Sequence, residues 1–297
     1  MTRHGWRSAI LRSPCPRITL QCPFGLMSAD FAQLTTSLGF PKLSLEKLPF
    51  VVPQLAISSL FLQLLGNSNF PASVREMRVK GLTICQIRPL DMRFRDESDS
   101  ETNPPELHCL MVLTEKRFLE DAIEFAVQTD LFDNEGTMWQ SVTRLTVPFH
   151  QETLLVPLSS SGAQLDDALL ERANSKELSA SFACTRRNLA EFEEVGVADI
   201  TGTKTSVTTT PLMWMLGQCA AILERQERIP ALPLMCNCVF GDDVAAVPLE
   251  KRVAVSSWTS GESEEKPVIK FDVASDQASV MTGLIRTVGW TYTAQEA

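Results

Sequence analysis

Residues 200–223 read ITGTKTSVTTTPLMWMLGQCAAIL, with six threonines among the ten positions 201–210. The threonine tract contains neither a carboxylate nor a histidine, and it runs directly into an apolar stretch that opens on Pro211. It reads either as an active-site loop stripped of its acid–base groups or as a polar turn before a core helix. Few other residues in the chain offer chemistry. Cys236 and Cys238 lie i, i+2 in LPLMCNCVF, so both side chains share one face of a strand. No second ligand pair accompanies them, and the only histidines are His4, His108 and His150. The pair therefore reads as buried free thiols, and no metal is expected. His108 and Cys109 are neighbours on a strand, so they point to opposite faces and cannot form a nucleophilic dyad. Asp242 and Asp243 follow Gly241 and read as a turn. Glu224 opens the solvated helix end Glu224-Arg225-Gln226-Glu227-Arg228.

The totals narrow the class of protein. At 297 residues, 44% hydrophobic and 21% charged, the chain can bury a real core as one large domain or two ordinary ones. A net charge of −9 argues against nucleic-acid binding, which needs a basic surface. Eight irregularly spaced cysteines are no disulfide scaffold, and they fit a reducing compartment. The apolar stretches around 53–65 and 211–223 are too short and too interrupted to span a bilayer. The start carries Arg3, Arg7, Arg12 and Arg17 with no acid before Asp30. It resembles a mitochondrial presequence; the alternative is a disordered start to a cytoplasmic protein. The C-terminal TYTAQEA carries no peroxisomal tripeptide.

One set of elements must position these residues, and it occurs twice. VVPQLAISSLFLQLLG at 51–66 predicts a helix with Pro53 in its first turn and Gly66 as its stop. Only Gln54, Ser58, Ser59 and Gln63 interrupt its apolar surface, so something must wrap it. Strands are expected at 79–87, 108–113, 122–129 and 137–147. Ile123, Phe125 and Val127 alternate with Glu124, Ala126 and Gln128, as on a half-buried strand. The charged loop at 91–106 is solvated. A second helix is expected at 211–226, with Leu212, Leu216, Cys219, Ala220 and Leu223 on one stripe. Strands follow at 232–240, 253–258, 267–273 and 280–288. The domains are then a targeting or disordered segment at 1–35, an N-terminal repeat at 36–150, a linker at 151–178 and a C-terminal repeat at 179–297. One helix wrapped by an antiparallel sheet is the hot-dog plan, so the expected fold class is α+β, a tandem (double) hot-dog.

Several motifs carry a resemblance to a known family. "LPFVVPQLA", "FPASVREMRVKGLTICQIRPL" and "EFAVQTDLFDNEGTMWQSVTRLTV" resemble the N-terminal repeat of MaoC-like acyl dehydratases. "PLMWMLGQCAAIL" is similar to that family's central helix, and "PVIKFDVASDQASVMTGLIRTV" to its closing hairpin. The resemblance spans roughly residues 40–150 and 180–290 as scattered motifs. It implies hydro-lyase activity on a 3-hydroxyacyl or enoyl thioester of CoA or an acyl carrier, with no further cofactor. The family motif Ser-Gly-Asp-x-Asn-Pro-x-His falls here on Thr201, Gly202, Thr203, Lys204, Thr205, Ser206, Val207 and Thr208. Gly202 matches. Thr203 stands at the aspartate position, Thr205 at the asparagine and Thr208 at the histidine, and an unactivated hydroxyl is no base at neutral pH.

The resemblance implies substrate contacts at Thr201, Gly202, Thr203, Thr205 and Thr208, with Met213 and Trp214 either lining an acyl tunnel or filling the core. The catalytic residues are left unassigned. The expectation is a hydratase–dehydratase homologue with a degenerate motif. The alternatives are a non-catalytic acyl-thioester-binding or partner subunit, oligomeric with itself or another hot-dog chain, and a thioesterase using Gln218 or Glu224.

Overall fold

The structure is a computed structural model and describes residues 14–24, 28–40, 48–74, 77–90, 107–148, 177–194, 210–241, 247–260, 267–276 and 278–288. In chain order the first half contains β1 (Thr19–Pro23), α1 (Ser28–Ser37), α2 (Val52–Ala56), α3 (Ser58–Leu65), β2 (Arg78–Gln86), β3 (His108–Phe118), β4 (Ala122–Asp133) and β5 (Gly136–Pro148). The second contains β6 (Leu178–Ala183), α4 (Arg186–Glu194), α5 (Leu212–Arg225), β7 (Leu234–Phe240), β8 (Arg252–Ser260), β9 (Val268–Ser275) and β10 (Ala278–Thr287).

All ten strands join one sheet, in the order β1-β3-β4-β5-β2-β7-β10-β9-β8-β6. Read inward from each edge, the two halves have the same order. The first is β1, β3, β4, β5, β2, and the second is β6, β8, β9, β10, β7. They meet where β2 pairs antiparallel with β7, from Gly81 opposite Val239 to Gln86 opposite Leu234. Every pairing is antiparallel. The eight strands expected from the alternating pattern are present. β1 and β6, the two edges, are additional. β1 and most of α1 fall inside the span 1–35 that the arginine-rich start set apart, while 151–176 lies outside the described residues, as does the loop 91–106.

One local expectation is corrected and two are extended. The helix expected across 51–66 is divided at Ile57 into α2 and α3, although the Ile57 N–H still donates to the Pro53 carbonyl and the Phe61 N–H to Ile57. Gly66 ends α3 with ordinary right-handed dihedrals, φ −77°, so its left-handed freedom is not used. α5 is not buried along one stripe: every residue from Leu212 to Leu223 is buried. A helix hidden on all sides must be covered by more than a sheet, and the chain where α1 ends supplies part of that cover. Gln218 donates to the Ser37 carbonyl at 3.3 Å, and Leu38 lies so close that a β-carbon on Gly217 would stand 2.4 Å from its Cδ2. Thus the C-terminal end of α1 and Leu38 after it, from the first half of the chain, pack on the central helix of the second.

The outward phase of β4 also departs from simple exposure. Glu124 is buried because Arg117 and Arg144 both bridge to its carboxylate, so the arginine stems cover this part of the sheet.

Candidate functional site

Among the sequence-predicted site residues, the described ones are Met213 and Trp214, in the first turn of α5. Thr201, Gly202, Thr203, Thr205 and Thr208 lie outside the described residues. Both Met213 and Trp214 are 1% exposed. The Trp214 ring meets Phe182 of β6 edge-on, with centroids 5.5 Å apart and planes at 74°. The aromatic pair contributes packing and fixes the indole. Its Nε1 is buried and has no hydrogen-bond partner among the described residues. α5 starts without a side-chain cap, because Pro211 occupies the N-cap position. The indole N–H therefore lies in the same turn as backbone N–H groups that no helix carbonyl can satisfy.

Long-range contacts hold the segment leading into that turn. Thr210 is buried; its N–H donates to the Val247 carbonyl at 2.8 Å, and its hydroxyl to Pro248 at 3.4 Å. The Glu250 N–H donates in turn to the Cys184 carbonyl at 2.9 Å, and the Arg186 N–H donates to the Glu250 carboxylate at 3.1 Å. Glu250 holds φ at 63°, a left-handed conformation unusual for a residue with a β-carbon. Thr185 caps α4, its hydroxyl accepting the Asn188 N–H at 3.1 Å.

Glu250 is thus the carboxylate tied to this corner, and its hydrogen bond commits it to the first turn of α4. Cys184 stands beside it. Burial, with the Glu250 charge second, pushes the Cys184 thiol up to about 12 despite a hydrogen bond with Thr210. A thiol so raised stays protonated at neutral pH, and without a disulfide partner facing it among the described residues Cys184 is a poor nucleophile.

The remaining chemistry-bearing residues are placed elsewhere. Gln218 spends its amide on Ser37. Glu224 is ten residues beyond Trp214, about 15 Å along the helix axis. His108 is on β3 of the other half, stacked on Phe132 with centroids 5.5 Å apart. His150, Asp242 and Asp243 lie outside the described residues. Cys236 and Cys238 do share one face, with sulfurs 3.5 Å apart, buried and facing Cys219 of α5. No group of three or more potential ligands able to hold a metal occurs among the described residues. No helix among them is long and apolar enough to cross a membrane.

Sequence reasoning missed a second polar feature, inside the first half. Gln54 of α2 is 1% exposed, and neither its amide nitrogen nor its oxygen has a partner among the described residues. The same holds for the hydroxyls of Thr129, Ser141 and Thr143. Thr129 and Ser141 are directly opposed on β4 and β5, and Thr143 follows on the same face. The signal was in the sequence: Ser141 and Thr143 interrupt the inward phase of β5 between Trp139 and Leu145.

No family model matches the chain, and no curated protein matches it in sequence. Solved structures do match, and they define a class of fold: hot-dog proteins of the MaoC-like dehydratase kind. HtdX of Mycobacterium tuberculosis is similar with a TM-score of 0.60 at 13% identity, over 91% of this chain and 100% of that one. A MaoC-like dehydratase from Phytophthora capsici has a TM-score of 0.61 at 11% identity, over 95% and 97%. Another MaoC-like dehydratase reaches 0.63 at 9% identity, over 91% and 97%. At such identities the similarity is one of fold.

Proposed function

We propose that this protein is a MaoC-like hydratase–dehydratase homologue of tandem hot-dog build that binds an acyl thioester at the N-terminal end of α5. The observation that carries the reading is the buried Trp214 indole N–H, without a partner among the described residues, in the uncapped first turn of that helix. Helix-start N–H groups and an indole donor suit a thioester carbonyl, on which negative charge builds during addition or elimination at the acyl chain. Water addition also needs a base. With Thr203 and Thr208 at the family's acid–base positions and no histidine between 151 and 297, the site binds and does not turn over. The thioesterase reading finds no support in Gln218 or Glu224, which are engaged or distant as described.

The test is direct. The protein incubated with crotonyl-CoA should leave the enoyl absorbance unchanged while binding a non-reactive acyl-CoA thioether in calorimetry. Trp214→Phe keeps the contact with Phe182 and should weaken that binding about tenfold, the worth of one buried hydrogen bond. Turnover lost on changing Thr203 or Thr208 would overturn the degenerate site. Silence in both assays, with a stable complex formed with a catalytic hot-dog chain, would instead favour the partner-subunit reading, in which an edge strand such as β6 recruits another sheet.

The arginine-rich start is proposed as a mitochondrial presequence. A presequence removed before Thr19 would leave β1 in the sheet; tagged protein recovered from the cytosol would contradict this reading.

A further inference from the structure

β1 is the edge strand of the first half, and it pairs with β3 in a register that sets Cys22 directly opposite Cys109. Backbone hydrogen bonds fix what kind of pair this is. The Phe24 N–H donates to the Leu107 carbonyl at 2.6 Å, and the Leu113 N–H to the Ile18 carbonyl at 3.0 Å. In an antiparallel ladder, hydrogen-bonded pairs recur at every second residue, so Cys22 and Cys109 form one, with Cα atoms about 5.5 Å apart. Disulfides span about 4.4–6.8 Å between Cα atoms; the Cβ atoms of a hydrogen-bonded pair, about 5.5 Å apart, must close by about 1 Å, and the strain that costs makes the bond readily reducible. Opposed residues present their side chains to one face, so the two thiols face each other across the ladder. Their access differs. Cys109 is fully buried, whereas Cys22 is half-exposed at the rim of the sheet.

We propose that Cys22 and Cys109 are a reversible thiol–disulfide pair, oxidised by a small-molecule disulfide of the glutathione type, that fastens β1 to the sheet. The Cys22 thiolate attacks one sulfur of the oxidant, whose S–S bond breaks and releases one thiolate. A mixed disulfide remains on Cys22. The Cys109 sulfur then attacks Cys22 Sγ, giving its proton to the departing second thiol. Two protein thiols are oxidised, and one small disulfide becomes two thiols.

The order follows from access. Burial raises both thiols, Cys22 above its usual value and Cys109 to about 12, and Cys22 at the rim of the sheet is the one an oxidant can reach. The Cys236–Cys238 pair is the rival, but both its members are buried beneath α5. The consequence reaches the second half: β1 leads into α1, whose C-terminal end and Leu38 after it pack on α5 at Gly217 and Gln218. Closing the bond anchors the segment that covers the central helix.

The full chain, equilibrated in glutathione buffers of rising oxidised fraction, alkylated and mapped by mass spectrometry, tests this. Of eight free thiols, two should be lost together, in a cross-linked peptide joining Cys22 and Cys109, and dithiothreitol should restore both. The oxidised form should melt several degrees higher than the reduced form, and Cys22→Ser should abolish that difference. Cys109→Ala should trap glutathione on Cys22; since Cys109 is buried, the variant at the half-buried Cys22, Cys22→Ser, serves if the alanine variant fails to fold. A wild-type chain that holds glutathione on Cys22 without resolving it, loses Cys236 and Cys238 first, or keeps all its thiols in the most oxidising buffer overturns the proposal.

Discussion

The Trp139 indole N–H donates to the Phe50 carbonyl at 2.8 Å, and this buried bond sets the level at which the first-half helix lies on the sheet. Gln54 is one helical turn beyond Phe50, and Ser141 is two strand residues beyond Trp139. The Trp139–Phe50 bond thus lies within one helical turn and two strand residues of buried polar groups that have no partner among the described residues.

Trp139→Phe should destabilise the fold by about 2–3 kcal/mol. It strands a buried carbonyl and removes part of a ring that has no exposed surface. Urea denaturation checks this: the midpoint should fall with the slope unchanged.

Thr143→Val should leave stability unchanged or raise it by about 1 kcal/mol, because an isosteric methyl replaces a buried hydroxyl with no partner among the described residues. Ser141→Ala should behave alike. A loss above about 1 kcal/mol in either variant would show that the hydroxyl is satisfied in solution.

Gly283→Ala should cost more than Gly217→Ala. At 283 a β-carbon would stand 2.6 Å from the Asn237 carbonyl oxygen and 2.4 Å from the Phe271 ring, and a strand backbone cannot yield. At 217 the obstacle is the end of the Leu38 side chain, and alanine also favours the helix by about 1 kcal/mol. Overpacking of about 1–3 kcal/mol should therefore be partly offset at 217 alone. Thermal melts of the two variants give the ranking.

Stability should fall with alkaline pH. The Cys109 and Cys184 thiols are raised from about 9 to about 12, by burial first in both cases. Between those values the unfolded chain has released these protons and the folded chain has not. The unfolded state then binds fewer protons, so unfolding free energy declines as pH rises, by at most about 1.4 kcal/mol per pH unit for each thiol. Below pH 9 neither thiol contributes a slope. Urea midpoints from pH 8 to 10.5 should decline more steeply for the wild type than for Cys184→Ala; parallel declines would refute the assignment to that thiol.

Strands such as β4 and β5 were legible because their inward residues repeat every second position over a dozen residues, and both central helices because their apolar surface is interrupted so rarely. β1 and β6 were not. Thr19-Leu20-Gln21-Cys22-Pro23 and Leu178-Ser179-Ala180-Ser181-Phe182-Ala183 are too short and too polar or small for periodicity to register. They are strands because β3 and β8 offer them a ladder. The stripe read on α5 understates its burial for a related reason: part of its second covering is Ser37 and Leu38, some 180 residues earlier, which no local pattern can announce. In the candidate site, Met213 and Trp214 followed from the helix start. Phe182, Cys184 and Glu250 reach the same corner only through the β6–β8 pairing and the chain around 247–250.

The ladder between β2 and β7 has a further consequence. Six opposed residue pairs form the ladder that joins the two halves at the middle of the sheet, and the end of α1 packs on α5, so the halves are joined by secondary structure independently of the peptide that links them. Two polypeptides ending and beginning within 151–176 carry every described strand and helix between them. Co-expressed as separate chains, they should find one another through that shared seam, and each alone would expose a bare interior strand edge and invite aggregation. The molecule is in this sense an obligate heterodimer written as a single chain.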